Sequence, residues 1–169
     1  MTQQKAGGGN ATNMSCTFCG IVRGETPANV VFEDEVSIAF LDHRPLFPGH
    51  CILIPKAHYQ TFVDLPTDLI TPLFANAQLL AKGVEQTMEA EGTFVAINNR
   101  VSQSVPHFHI HIVPRRRKDG LKGFFWPRQL YKDKDAILAV QGLLRSTLSQ
   151  LNRGPRRLFE NPNAAASSH

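Results

Sequence analysis

The chain has 169 residues, 42% of them apolar and 19% charged, with a mean hydropathy of −0.19, enough to bury one core and ordinary for a globular protein. It holds no apolar run of membrane-spanning length, and its N-terminal stretch lacks the apolar segment of a secretory leader, so a cytoplasmic protein without a membrane partner is expected. The net charge of +4 is unevenly placed, −4 over residues 1–114 and +8 over residues 115–169, which points either to an anionic partner or to a solvated basic face.

Residues 1–14 are Gly, Gln, Asn and Thr with little to bury and are expected to be disordered. Ile21 to Pro27 reads as a turn leading into a first strand, Val30–Glu33. Glu33-Asp34-Glu35 turns the chain into a second strand, Val36–Leu41, ending at Asp42. After the loop signals Asp42–Pro45 and Pro48-Gly49 comes a third strand, His50–Pro55, apolar on both faces, with Cys51 a small core residue. A long helix opens at Pro66-Thr67-Asp68 with Thr67 as its N-cap, or at Thr71-Pro72, and repeats Leu69, Leu73, Ala77, Leu80 and Val84 at helical spacing until Gly92 stops it after Glu91. Thr93–Asn98 reads as a fourth strand, Asn98 to Gln103 as a polar loop, and Val105–Pro114 as a fifth strand. Phe124-Phe125-Trp126-Pro127 is a bulky apolar knot. Asp133 to Asn152 is a second helix, with Ile137, Leu138, Leu144, Leu148 and Leu151 on one side. The tail, 154–169, is basic and then rich in Asn, Ala and Ser, and is expected to be mobile. The fold class is α+β: one domain over residues 15–153, a five-stranded antiparallel sheet with two helices.

The fifth strand carries the chemistry. His107, His109 and His111 alternate with Phe108, Ile110 and Ile112; period two sends the three rings to one face and the apolar residues to a core. Such rings can ligate a catalytic metal, or one can attack as a nucleophile while its other nitrogen is held by a carbonyl or another histidine. A hydrogen-bonded cluster without chemistry is the third possibility. Cys16-Thr17-Phe18-Cys19 is a C-x-x-C pair that needs two more ligands to close a tetrahedral zinc site. His50, His58 and His107 are the candidates, and spacing does not choose among them. Redox chemistry is disfavoured because the pair is not presented at an evident helix start.

His107-Phe-His109-Ile-His111-Ile-Val113 resembles the His-φ-His-φ-His-φ-φ signature of the histidine triad superfamily of nucleotide hydrolases and transferases. The similarity extends to Cys16-Thr-Phe-Cys19-Gly-Ile, Gly24-Glu25-x-Pro27-Ala28, Glu33-Asp34, Ala39-Phe40-x-Asp42, Pro48-Gly49-His50, Ile54-Pro55-Lys56-x-His58 and Gln103-Ser104-Val105, covering about residues 16–114.

The resemblance implies a nucleotide substrate, a nucleoside monophosphate product and cleavage at the α-phosphate of a phosphoramidate, nucleoside polyphosphate or dinucleoside polyphosphate. His109 resembles the nucleophile that forms a nucleotidyl-histidine. His111 resembles the histidine facing phosphate oxygens near the leaving group, and Ser104 the hydroxyl that bonds phosphate or leaving atom. His50 resembles the histidine supporting the relay. Asp42 resembles the carboxylate that accepts the ribose hydroxyls; Asn98, with Asn99 as rival, resembles the phosphate-contacting amide, and Gln103 is placed with the nucleotide-binding set. The resemblance also implies a structural zinc on Cys16, Cys19, His58 and His107, and a homodimer with a continuous sheet. Transferases of the superfamily commonly carry Gln where this chain has His111, which favours hydrolysis over phosphorolysis or nucleotidyl transfer. A nucleotide-binding module with little turnover is the reading from another class. Arg115–Lys118 is either a grip for further phosphates or a solvated loop; nucleic acid is not required.

Overall fold

The computed structural model describes residues 15–121 and 132–151; the expected disordered start, the aromatic knot and the tail lie outside the described residues. The described residues up to Leu121 form one compact unit and those from Lys132 a second. The first unit holds one antiparallel sheet of five strands, β1 (Val30–Glu33), β2 (Ser37–Leu41), β3 (Cys51–Pro55), β4 (Gly92–Ala96) and β5 (Ile110–Arg115), in the spatial order β1-β2-β3-β5-β4. It also holds the helices α1 (Thr17–Val22) and α2 (Thr67–Thr87); α3 (Lys134–Leu151) lies in the second.

The expected α+β class and five-stranded sheet are found, with three α-helices rather than two among the described residues. The addition is α1, six residues long, too short for apolar periodicity to announce it. Its start corrects the argument against redox chemistry, because Cys16 is the N-cap of α1 and Cys19 lies in its first turn. Two helix ends also differ. Pro66, not Thr67, is the N-cap of α2, and Pro72 lies inside the helix rather than starting it. Helix α2 stops at Thr87, short of Glu91: Glu89 takes φ +49, and Ala90 N–H returns to the Glu85 carbonyl at 2.9 Å, a Schellman closure by a non-glycine residue. Gly92 instead opens β4. In the second unit, Asp133 caps α3 by accepting the Ala136 N–H at 2.8 Å.

Strand alternation divides the sheet into two faces. Ala39, Cys51, Leu53, Phe108, Ile110 and Ile112 point to one, where Leu73, Ala77 and Val84 of α2 complete a buried core. Leu69 and Leu80 are partly buried against it. Leu53, Leu73, Ile110 and Ile112 are fully buried, and each such side chain contributes about 1.5–3 kcal/mol from water exclusion. Ile38, Phe40, Ile52 and Ile54 point to the other face and pack with Cys16, Phe18, Cys19 and Ile21 of the α1 region. That face carries the histidines: Ile52 stands directly opposite His111 in the β3–β5 ladder.

Candidate active site and metal centre

The paired ladder of β5 begins only at Ile110, yet the alternation extends back through His107. Phe108 N–H bonds the Tyr59 carbonyl at 2.6 Å, so a loop, not a strand, holds the triad's first half. His107 and His109 are buried and His111 is half-buried. The rings share a face but not a role, because each has its own partners.

His107 turns Nδ1 toward two thiols, 3.5 Å from Cys16 Sγ and 3.6 Å from Cys19 Sγ. His58 brings its Nδ1 to 3.3 Å from Cys19 Sγ, and ligand atoms of all four residues lie within 4.8 Å of one another. With metal–sulfur and metal–nitrogen bonds of about 2.3 and 2.0 Å, a tetrahedral zinc separates its sulfur and nitrogen ligands by about 3.5 Å. The four groups fit such an ion. The His107 Nε2–H donates to the Pro55 carbonyl at 3.0 Å, the outer hydrogen bond that fixes a ligating imidazole. Of the three candidate histidines, His58 and His107 complete this group and His50 does not. The two imidazoles beside the thiols, rather than the absence of a helix start, speak for a metal centre over a redox pair. Burial pushes the His107 ring down to about 4, so both nitrogens stay uncharged near neutral pH.

His109 Nδ1–H donates to the His107 carbonyl at 2.7 Å. The proton is therefore on Nδ1 and Nε2 carries a lone pair, with no hydrogen bond to it among the described residues. Burial holds this ring below the usual histidine value, with the carbonyl bond partly opposing. The edge of Phe18 stands against it, ring centres 5.4 Å apart, and also against His107 and Phe40 at 5.9 and 5.5 Å. Phe18 thus seats the middle ring, a role that an apolar residue inside C-x-x-C gave no signal for.

His111 belongs to a different chain of bonds. Leu46 N–H, which can only donate, reaches His50 Nδ1 at 3.3 Å, and His50 Nε2 lies 3.0 Å from His111 Nδ1. With Nδ1 accepting, His50 carries its proton on Nε2 and donates it to His111, whose own proton is then on Nε2. Asp42 Oδ2 stands 3.5 Å from His50 Nδ1, too far to displace the Leu46 bond, while its Oδ1 accepts Arg44 N–H at 2.8 Å. Asp42, His50 and His111 also place ligand atoms within 4.8 Å. The His50 and His111 ring centres are 5.2 Å apart, nearly the nitrogen separation plus two ring radii. The nitrogens meet head-on, which suits a hydrogen bond and aims neither lone pair at a shared ion. Burial, then the neighbouring His109 and His50 rings, push His111 down to about 4, against the pull of Asp42. Burial also lowers His50, with Asp42 again opposing.

Asp42, His50, His109 and His111 are thus together on one face. Asn98 is half-buried and Ser104 exposed, in the loop before the triad. Asn99 is engaged by the main chain: its Oδ1 accepts Phe62 N–H at 2.7 Å. Gln103 is engaged likewise, accepting Arg100 N–H at 2.7 Å and donating to the Gln60 carbonyl at 2.6 Å. The basic run is partly committed: Arg115 forms a two-point bond with Asp119, Arg116 donates to the Met88 carbonyl at 2.6 Å, and Arg117 N–H meets Glu91.

A family model described as the HIT domain matches residues 23–118, more than half of the chain. The chain belongs to the HIT domain family. An uncharacterized HIT-like protein of Mycobacterium tuberculosis is 36% identical over 81% of this chain and 95% of that protein. An adenosine 5′-monophosphoramidase of Saccharomyces cerevisiae is 33% identical over 76% of this chain and 80% of its own; an adenylylsulfatase of Arabidopsis thaliana is 33% identical over 63% and 55%. Among solved HIT structures, a HIT family protein of Bacillus subtilis superposes with a TM-score of 0.71 at 29% identity, covering 78% of this chain and 96% of that one. A zinc-bound histidine triad protein of Mycobacterium smegmatis gives 0.62 at 36% identity, covering 82% and 96%. Among the described residues, no helix is long and apolar enough to cross a membrane.

Proposed function

We propose that this chain hydrolyses nucleotides at the α-phosphate through a covalent intermediate on His109. The observation that carries the reading is the pair of ring contacts, His109 Nδ1 on the His107 carbonyl at 2.7 Å and His111 Nδ1 on His50 Nε2 at 3.0 Å, which imply a lone pair on His109 Nε2 and a proton on His111 Nε2. His109 Nε2 attacks the α-phosphorus, a P–N bond forms, and the bond to the leaving oxygen or nitrogen breaks with its electron pair going to the leaving group. Water then attacks the phosphorus and the P–N bond breaks, releasing a nucleoside monophosphate. Dividing the displacement in two is the gain of covalent catalysis. His111 Nε2–H and the Ser104 hydroxyl hold the phosphoryl oxygens or leaving atom, with Asn98 as a further phosphate contact; preset donors of this kind need no rearrangement as charge develops. Asp42 receives the ribose hydroxyls.

The phosphoramidase and adenylylsulfatase relatives support a phosphoramidate or mixed-anhydride substrate over a dinucleoside polyphosphate.

Zinc is the proposed ion on Cys16, Cys19, His58 and His107, supported by the ligand geometry and by the zinc-bound relative. Four protein ligands leave no open position, so the ion serves as a cross-link between α1, the segment after β3 and the triad. The proposed homodimer continues the sheet through the edge strand β4, whose Val95 is 46% exposed; sedimentation at micromolar concentration reads it. A cytoplasmic location is likewise proposed.

The deciding experiment incubates the protein with an adenosine 5′-phosphoramidate, quenches without acid and looks for adenylyl-His109 by mass spectrometry. His109→Ala is expected to lose the adduct and lower turnover by at least about 10³-fold. Full turnover in that variant refutes the assignment. If inorganic phosphate, rather than water, accepts the nucleotide, the reaction is phosphorolysis.

A further inference from the structure

The loop from Asn98 to Ser104 is held in a conformation its residues do not favour. Arg100 has φ +64 and Ser102 φ +60, and a non-glycine residue in the left-handed region is strained by its Cβ. Side-chain contacts must offset that strain. The side-chain amide of Gln103 makes them in three directions. Its Oε1 accepts Arg100 N–H at 2.7 Å, inside the strained turn. Its Nε2 donates to the Gln60 carbonyl at 2.6 Å, two residues beyond His58. The same Nε2 faces the His107 carbonyl at 3.5 Å, the oxygen that receives the His109 Nδ1–H at 2.7 Å. Asn99 adds a fourth tie, from its Oδ1 to Phe62 N–H.

A carboxamide has two N–H donors and one oxygen. Both ends of this one are met by main chain, so a nucleotide has little to gain from it.

We propose that Gln103 is a positioning residue, clamping the strained Asn98–Ser104 loop to the His58–Phe62 segment and to the carbonyl that orients His109, instead of touching the nucleotide. The inference rests on the reading of His109 as nucleophile. The clamp acts before substrate arrives: it preorganises the loop that bears Asn98 and Ser104 and keeps it in register with the attacking ring. Loss of such register by even an ångström is worth about 10²-fold in rate.

Gln103→Glu keeps the shape and the acceptor for Arg100 but removes both donors, setting a carboxylate against two carbonyls. Three quantities are measured on the full chain: kcat and KM for adenosine 5′-phosphoramidate, Kd for adenosine 5′-monophosphate, and amide exchange in the peptides spanning residues 58–62 and 98–104. The clamp predicts a kcat lowered about 10- to 100-fold, a Kd within about threefold of wild type, less than the loss of a hydrogen bond to phosphate would cause, and faster exchange in both peptides together. A Kd weakened in step with kcat and unchanged exchange identify a substrate contact and overturn the proposal. If Gln103→Glu melts below the assay temperature, Gln103→Met, which keeps length without polar atoms, carries the same three measurements. If wild-type protein shows neither turnover nor an adduct, the nucleophile reading fails by itself, and unchanged exchange in both peptides then overturns the clamp while joint acceleration supports it.

Discussion

Acidification tests the electrostatic description of the site most directly. His111 is uncharged in the folded protein down to about pH 4, because burial and the facing His109 and His50 rings outweigh Asp42. In the unfolded chain it titrates near 6.5. A depressed histidine favours the fold only while the unfolded chain is also unprotonated, so its contribution is complete above about pH 6.5 and is lost as pH falls toward about 4. One pKa unit is worth about 1.36 kcal/mol, so the interval between 6.5 and about 4 amounts to about 3 kcal/mol lost from this ring. His50 and His109, lowered by burial as well, act in the same direction. The assay is chemical denaturation at half-unit steps from pH 7.5 to 4, on wild type and His111→Gln. Metal loss in acid is common to both proteins and cancels in their difference. Wild type is expected to lose up to about 3 kcal/mol more than the variant across that window. Identical pH slopes refute the buried, uncharged assignment of His111.

Two other perturbations have defined outcomes. Cys19→Ser is expected to abolish stoichiometric metal binding, read by elemental analysis, and to lower stability by on the order of 3–5 kcal/mol, because a ligand that binds only the folded state no longer contributes; a variant that keeps its metal and its melting temperature refutes the four-ligand centre. Gly49→Ala faces two obstacles, a φ of +89 and a new Cβ that would stand 2.6 Å from Met88 Cγ. The unfolding free energy is expected to fall by about 1–3 kcal/mol, read by chemical denaturation, with Met88→Ala restoring only the steric part; complete restoration would show that the backbone conformation costs nothing.

The long elements were legible where burial follows a regular period. Strand β3 reads as a continuous apolar run because both of its faces are covered, and α2 through Leu73, Ala77 and Val84 because one face is. The separate partners of the three histidines were not legible in the repeat, since alternation assigns a face and not a partner. What stayed hidden depends on distant backbone. Leu46 N–H, which sets the tautomer of His50, and the Pro55 carbonyl, which turns the His107 ring, are main-chain groups that any residue could supply. Gln103 and Asn99 look like free amides in a polar loop until the segment some forty residues earlier is folded against them. Helix α1 is a helix because Phe18 and Ile21 must bury and two thiols must converge, constraints that six residues in isolation do not express.

His107 has a consequence for the order in which the protein becomes competent. Its ring meets thiols that lie 91 and 88 positions earlier in the chain, while its carbonyl aims the ring two residues later. One residue therefore joins a distant closure of the chain to a local adjustment of the site. During synthesis the two cysteines emerge early and wait for nearly the whole sheet to be made. Under the proposed mechanism the His109 nitrogen is aligned only when that closure is complete, so a half-folded chain would have all of its histidines and no reagent. If His109 is the nucleophile, turnover would report on the integrity of the fold, and lesions in the N-terminal segment would register as chemical defects.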